Sequence, residues 1–275
     1  MQIAEWNLRL VVNADGFGMD AALSRGILRA HRDGIVTSTS VIGNCKDPAA
    51  LRQQLATVPG LGVGVHLTLT GGEPVARPSS VRSLLGTDER FPSQASDVFL
   101  SWAKAIPRGD EVEREFDAQV SRLREAGLVL DHLNTHQNVG FMPVVGHAVE
   151  SVARRHGIAG VRTAMERPTL AWLTELRRGL TTAALGGLAW FNRRQMGALR
   201  HGPTSWGYFE RGRLDEIRIL EILARLGPGV HELICAPRAE DDTQVKGELA
   251  ALQSPRVREG LSRRGIALCR WSELF

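Results

Sequence analysis

An apolar run at 9–12 stops at a polar cluster, Asn13-Ala14-Asp15-Gly16-Phe17-Gly18, and a helical pattern follows at once. The pattern predicts a buried strand that delivers Asn13 and Asp15 to its C-terminal end, with Gly16 and Gly18 in a tight exit turn. In strand–helix proteins that end of the sheet is where binding groups collect. The plainer alternative is a βα turn in which Asp15 caps the next helix. Residues 21–31 then place Leu23, Ile27 and Ala30 on one helical face, closed by Asp33-Gly34. A β-branched run at 35–42 predicts a second strand, 48–58 a helix, and 61–68 a third strand ending at His66 and threonines. Strands alternating with helices argue for a parallel sheet with right-handed crossovers.

Residues 70–96 lose this periodicity and are rich in Gly, Pro and Ser. So long an irregular excursion inside a domain is usually functional, as a lid or substrate wall. Periodicity resumes with a helix over 109–126, where Val112, Phe116, Val120 and Leu123 share a face. A fourth strand is predicted over 128–136, a helix over 144–156 and a short strand over 160–163. The segment 168–212 reads as mainly helical, with Trp172, Trp190 and Trp206 as core or interface anchors. A helix over 215–226, a strand over 229–236, helices over 243–253 and 255–264 and a last strand over 266–270 complete the chain. No repeat or clean linker interrupts it, so residues 1–275 read as a single domain.

Composition narrows the class. With 275 residues, 43% hydrophobic and 23% charged, the chain can build one substantial core. No window reaches the roughly 18 apolar residues of a membrane span; 180–191 comes nearest. Glu5, Asn7 and Arg9 interrupt any signal-like segment. Cys45, Cys235 and Cys269 are odd in number and far apart, which fits a reducing cytoplasm better than a disulfide scaffold. The net charge of +4 comes mostly from arginine, which clusters in pairs at 154–155, 177–178, 193–194 and 263–264. Each pair falls in a predicted helix and reads as a solvated face, and no nucleic-acid motif accompanies them.

Candidate chemistry lies at strand ends. Asp15, His66 and His136 each close a predicted strand, and a parallel sheet points all three to one rim. One carboxylate and two imidazoles are a ligand set for a divalent ion with open positions, able to activate water and polarise a carbonyl. Strand alternation adds His132 and Asn134 to the face of His136. Glu73 in the irregular segment and Asp131 are reserve carboxylates.

The motifs NADGFG at 13–18, GIVTSTSV at 34–41, GVHLTL at 64–69 and DHLNTH at 131–136, with a C-terminal run from Glu248 to Leu268, resemble the YdjC-like carbohydrate deacetylases. That group includes chitooligosaccharide deacetylases and deacetylase-like proteins of hopanoid biosynthesis. The resemblance implies an α/β fold, a distorted (β/α) barrel like that of polysaccharide deacetylases. It implies a hydrolase that removes an N-acetyl or other N-acyl group from an amino sugar or sugar-containing metabolite. It further implies a divalent metal, magnesium or zinc, on Asp15, His66 and His136, with Asp15 also the catalytic residue. Asn13, Glu73, His132 and Asn134 are then the expected substrate-binding groups, the partner is an N-acylated saccharide or glycosylated small molecule, and the assembly is a homodimer. Three departures stand out. Gly16 occupies the place of a second aspartate, Gln137-Asn138 thin a histidine-rich run, and Cys235-Ala236-Pro237 stands where the pattern has Cys-His-Pro. They support an alternative, a catalytically silent relative that binds a saccharide or a partner protein.

Overall fold

Strand β1 (Arg9–Phe17) lies at the centre of an eight-stranded sheet in the computed structural model, which describes residues 8–98, 107–162, 175, 179–180, 183, 186–187, 202–239 and 247–275. Trp172, Trp190, the arginine pairs at 177–178 and 193–194, and the start of the helix expected over 243–253 lie outside the described residues. The other strands are β2 (Ser38–Ile42), β3 (Gly62–Leu67), β4 (His132–Thr135), β5 (Gly160–Val161), β6 (Thr204–Trp206), β7 (Val230–Cys235) and β8 (Ala267–Leu268). Their order is β5-β4-β3-β2-β1-β7-β6, with β8 on β1, and every pairing is parallel. One backbone hydrogen bond, Gly202 N to Val161 O at 3.0 Å, links β5 to the chain just before β6 and so brings the two edges together in the expected distorted (β/α) barrel.

Helices α1 (Ala21–Arg32), α2 (Pro48–Leu55), α3 (Gly109–Glu125), α4 (Pro143–Arg155), α5 (Glu216–Arg225), α6 (Glu248–Gln253) and α7 (Pro255–Arg263) make up the crossovers and the C-terminal layer. α1 starts where Asp20 accepts a hydrogen bond from Leu23 N, so Asp20 and not Asp15 caps it. On β1 the alternating residues Leu10, Val12 and Ala14 are fully buried in the main apolar core. The opposite parity places Val11, Asn13 and Asp15 inside the barrel, where Val11 meets Trp271 in a second cluster.

Two elements differ from expectation. Gly16 is not in the exit turn: β1 runs on to Phe17, and the register with β2 slips between Asp15 and Phe17. Gly16, at φ 89°, is the extra residue of that bulge. The slip leaves Asp15 facing the interior and turns Phe17 into the outer core. The segment 168–212, expected to be mainly helical, contains β6, whose Trp206 is buried and donates its indole N–H to His231. A three-residue strand is too short for its alternation to register against helical spacing.

The irregular segment after β3 folds into short 3₁₀ turns at Pro78–Ser80 and Arg82–Leu84. A polar stripe on α3 fastens it. Glu115 accepts from Val75 N and Ala76 N, each at 2.9 Å, Glu111 accepts from Ser83 N, and Gln119 pairs with both backbone groups of Thr68. These three side chains are buried at i, i+4 and i+8, beside the apolar stripe of Val112, Phe116, Val120 and Leu123.

Candidate active site

Asp15 sits inside the C-terminal rim, where the β1 bulge ends. Its Oδ1 accepts hydrogen bonds from Asn13 Nδ2 at 2.9 Å and from Ser40 Oγ and Asn134 Nδ2, both at 3.2 Å. Arg162, immediately after β5, donates to Oδ1 at 2.8 Å and to Oδ2 at 2.7 Å. The same guanidinium donates through Nε and a terminal nitrogen to Glu232 of β7, whose second oxygen accepts from Ser205 Oγ at 2.9 Å. The Arg162 side chain is only 3% exposed and that of Glu232 is fully buried, so one cation is shared between two buried carboxylates. Burial alone would push the Asp15 carboxyl up. The Arg162 charge, helped by its hydrogen bonds, outweighs it and holds Asp15 well below the usual carboxylate range.

The two histidines continue this network. Asn134 spends its amide N–H groups on Asp15 and on Ser40 Oγ at 3.1 Å, so its Oδ1 accepts from His66 Nδ1–H at 2.5 Å. His66 Nε2 is then the lone pair, and it accepts from His136 Nδ1–H at 3.0 Å. Both imidazoles are neutral. Burial lowers His66, and burial with the neighbouring His66 ring brings His136 down to about 3. His136 does not close a strand as expected. β4 ends at Thr135, and His136 opens a 3₁₀ turn in which Gln137 and Asn138 take φ of 51° and 57°.

Asp15, His66 and His136 therefore share one wall of a cavity of about 210 Å³. Tyr208, Arg211, Ala236, Glu248 and Arg162 line it as well, Ala236 following the strand β7 that pairs with β1. Glu248, the first residue of α6, accepts from Ala236 N at 2.6 Å, and burial pushes its carboxyl up to about 7.

The four expected substrate groups do not line this cavity. Asn13 and Asn134 are buried beneath it, and their amides orient Asp15 and His66. His132 shares the interior face with Asn134 but lies at the opposite end of β4. There it stacks on Trp271 with ring centroids 4.9 Å apart and bonds Asp131 at 2.7 Å. Alternation gives a residue's face but not its depth along the strand, which is why the sequence grouped the two. Glu73 is exposed, pairs with Arg90 at 2.7 Å, and lines a separate groove of about 800 Å³ that meets the cavity at His136 and Gln137. Asp131 is held by His132 and Ser272 N at the far end.

As folded, the donors do not fit a divalent ion. The histidine half is suitable, since two ring nitrogens converge and Asn134 fixes the His66 tautomer. The oxygen half is missing. Gly16 offers no side chain, and the Arg162 cation paired with both Asp15 oxygens repels a second cation there. Among the described residues no group of three or more His, Cys, Asp or Glu side chains is arranged to hold a metal.

Arg162, Glu232, Ser205, Ser40 and Glu248 were missed by sequence reasoning. A signal existed for one of them: Glu232 is a charged residue inside the apolar strand Val230–Cys235, and such a residue is buried only with a partner. Its partner lies seventy positions away and no local pattern names it.

A parallel barrel with a carboxylate and two imidazoles at its C-terminal rim defines a class of small-molecule site on an α/β scaffold. The chain belongs to the YdjC-like protein family, whose profile matches residues 9–263. A carbohydrate deacetylase of Geobacillus stearothermophilus is 30% identical over 277 residues, covering 96% of this chain and 97% of that protein. A carbohydrate deacetylase of Brevibacillus brevis is 36% identical over 151 residues, covering 55% of this chain and 58% of that protein. In structure, a candidate cellobiose-phosphate cleavage protein of Enterococcus faecalis superposes with a TM-score of 0.76 at 24% identity, covering 98% of this chain and 99% of that one. That likeness speaks for the fold.

Proposed function

We propose that this protein is a hydrolase that removes an N-acetyl or other N-acyl group from an amino sugar or a sugar-containing metabolite. The observation that carries the reading is the ionised Asp15 at the rim, oriented by Arg162 and flanked by two neutral imidazoles in a cavity. A relative of nearly equal length named carbohydrate deacetylase supports the same chemistry.

In this mechanism Asp15 is the base. Arg162 keeps the group ionised throughout the physiological range, and Oδ2, which accepts one hydrogen bond where Oδ1 accepts four, has the lone pair left to take a proton. The same pairing makes it a weak base, and the proton it takes from water is held only while the acyl carbon is attacked. His136, its Nδ1–H spent on His66, presents Nε2 as an acceptor for a water or sugar hydroxyl and orients it. Metal lies outside this mechanism because Gly16 brings no second carboxylate and Asp15 is already paired with the Arg162 cation. A cytoplasmic homodimer belongs to the same reading, and sedimentation of the purified protein tests the dimer. Among the described residues, no helix is long and apolar enough to cross a membrane.

One observation favours a second reading, a saccharide-binding relative without turnover. Gly16 and the closed Asp15–Arg162–Glu232 network suit a site that holds its shape better than it does chemistry. Acetate release from a panel of N-acetylated mono- and oligosaccharides separates the two. Release that disappears in a folded Asp15→Asn variant supports the hydrolase. Saccharide binding by calorimetry with no release across the panel sinks it in favour of the binding protein.

A further inference from the structure

We propose that Glu248, which lines the same cavity as Asp15, is the proton donor to the departing nitrogen; this role rests on the deacylase reading above.

Breaking an amide requires that the nitrogen leave as an amine and not as its anion, so the site needs a proton source beside the base. The Asp15 wall has none. Asp15 is ionised, His136 has its ring N–H on His66, and Arg162 is spent on two carboxylates. The C-terminal layer supplies a carboxyl group. Glu248 is tethered through Oε1 to the backbone N–H of Ala236, while its Oε2 has no hydrogen-bond partner among the described residues. Ala14 pairs with Cys235 across the β1–β7 ladder, so Asp15 and Ala236, the next residue on each strand, stand at the same level of the rim. With only a methyl group at Ala236, the longer arm of Glu248 reaches the cavity it lines.

Protonation state agrees with this geometry. Burial drives Glu248 upward, Asp15 adds to the rise, and the Ala236 N–H and the Arg211 charge oppose it, leaving the group near neutrality. The other titratable neighbour is the buried Cys235 thiol, which stays protonated and uncharged. Two carboxyl groups whose environments drive them apart, one held ionised and one raised to about 7, make a base and an acid of the same residue type.

The step balances. A water proton moves to Asp15 and the water oxygen bonds the acyl carbon. The C–N bond then breaks, its electron pair goes to nitrogen, and nitrogen takes the Glu248 proton. The products are the free amine and a carboxylic acid. Solvent then removes the proton from Asp15 and restores one to Glu248.

Glu248→Gln and Glu248→Ala, compared on an N-acetylated amino sugar and on 4-nitrophenyl acetate, test the role. The nitrophenolate leaves without a proton. The expected result is a fall in kcat of about 10²–10³-fold on the amide with less than about 3-fold change on the ester. The alkaline limb of the wild-type amide profile, near pH 7, should vanish with it. Equal losses on both substrates mark a structural role and overturn the proposal, as does full amide activity in Glu248→Gln. Carbon-13 NMR of the Glu carboxyl groups gives a check that needs no turnover. A resonance absent from Glu248→Gln should titrate near neutrality, and one titrating below pH 5 overturns the proposal. Wild-type protein that cleaves no amide in the panel overturns the deacylase reading and this role together; an active wild type whose Glu248 variants cleave the amide equally well overturns this role alone.

Discussion

Arg162 shows how one side chain can set the chemistry of a site. A guanidinium presents five N–H donors in a rigid fork, and here they are divided between Asp15 and Glu232. Removing it would strand two buried carboxylates. Arg162→Met is expected to cost about 3–5 kcal/mol in denaturant unfolding at pH 7. The sign of the pH dependence follows from Asp15, whose carboxyl is depressed on folding. Its stabilising contribution is complete above the ordinary carboxylate range and is lost as pH falls below it, so the gap between variant and wild type should narrow in acid. Glu248 has the opposite sign. Its carboxyl rises from 4.5 to about 7 on folding, so between those values the folded state holds the proton that the unfolded state has released. Stability should therefore fall as pH rises from 4.5 to 7, and Glu248→Gln should flatten that slope in thermal melts. Gly16 tests the metal question. A Cβ there would lie 2.6 Å from Met19 Sδ, the mobile end of a flexible side chain, so backbone strain at φ 89° is the main cost, about 1 kcal/mol. Gly16→Asp should lower Tm without metal and recover it with zinc or manganese. Stoichiometric divalent metal on the purified wild type would refute the account of the missing oxygen donor.

At the scale of elements, α3 does more than close a layer. Its apolar stripe packs into the core, while Glu111, Glu115 and Gln119 hold the irregular segment against β3. Glu115 matters most because it satisfies two backbone amides at once. Glu115→Ala is expected to cost about 2–4 kcal/mol by leaving both without partners. Hydrogen exchange should show the loss as faster exchange at Val75 and Ala76, and unchanged protection there would rule out the anchoring role. The helix itself was legible from the spacing of Val112, Phe116, Val120 and Leu123. Its second stripe was not, because charged residues at helical spacing read as a solvated face until a loop is seen lying on them.

In the whole molecule, the barrel is polar at the rim and sealed at the base. Trp271, fully buried, stacks on His132 and fills the space left by Gly160 and Gly202. A Cβ on Gly202 would lie 2.5 Å from the Trp271 ring, at the residue whose N–H brings the two edges together. The C-terminal residues thus sit where the barrel closes. Trp271→Ala is expected to destabilise the fold by about 3–5 kcal/mol in chemical denaturation. A smaller effect would show that the base can collapse around the gap.

What the sequence determined by itself is what local physics writes into it. Strand and helix alternation, helix faces and the position of Asp15 and His66 at strand ends are properties of neighbouring residues, and periodicity reports them. The motif order carried the family and hence the barrel. Only the tertiary structure decided that Arg162 and Glu232 meet Asp15, that Glu248 arrives from the C-terminal layer, and that His132 lies at the base and not the rim. Each of these depends on which strands become neighbours and how deep a residue sits along them, and a buried charge takes its partner from across the barrel, not from along the chain.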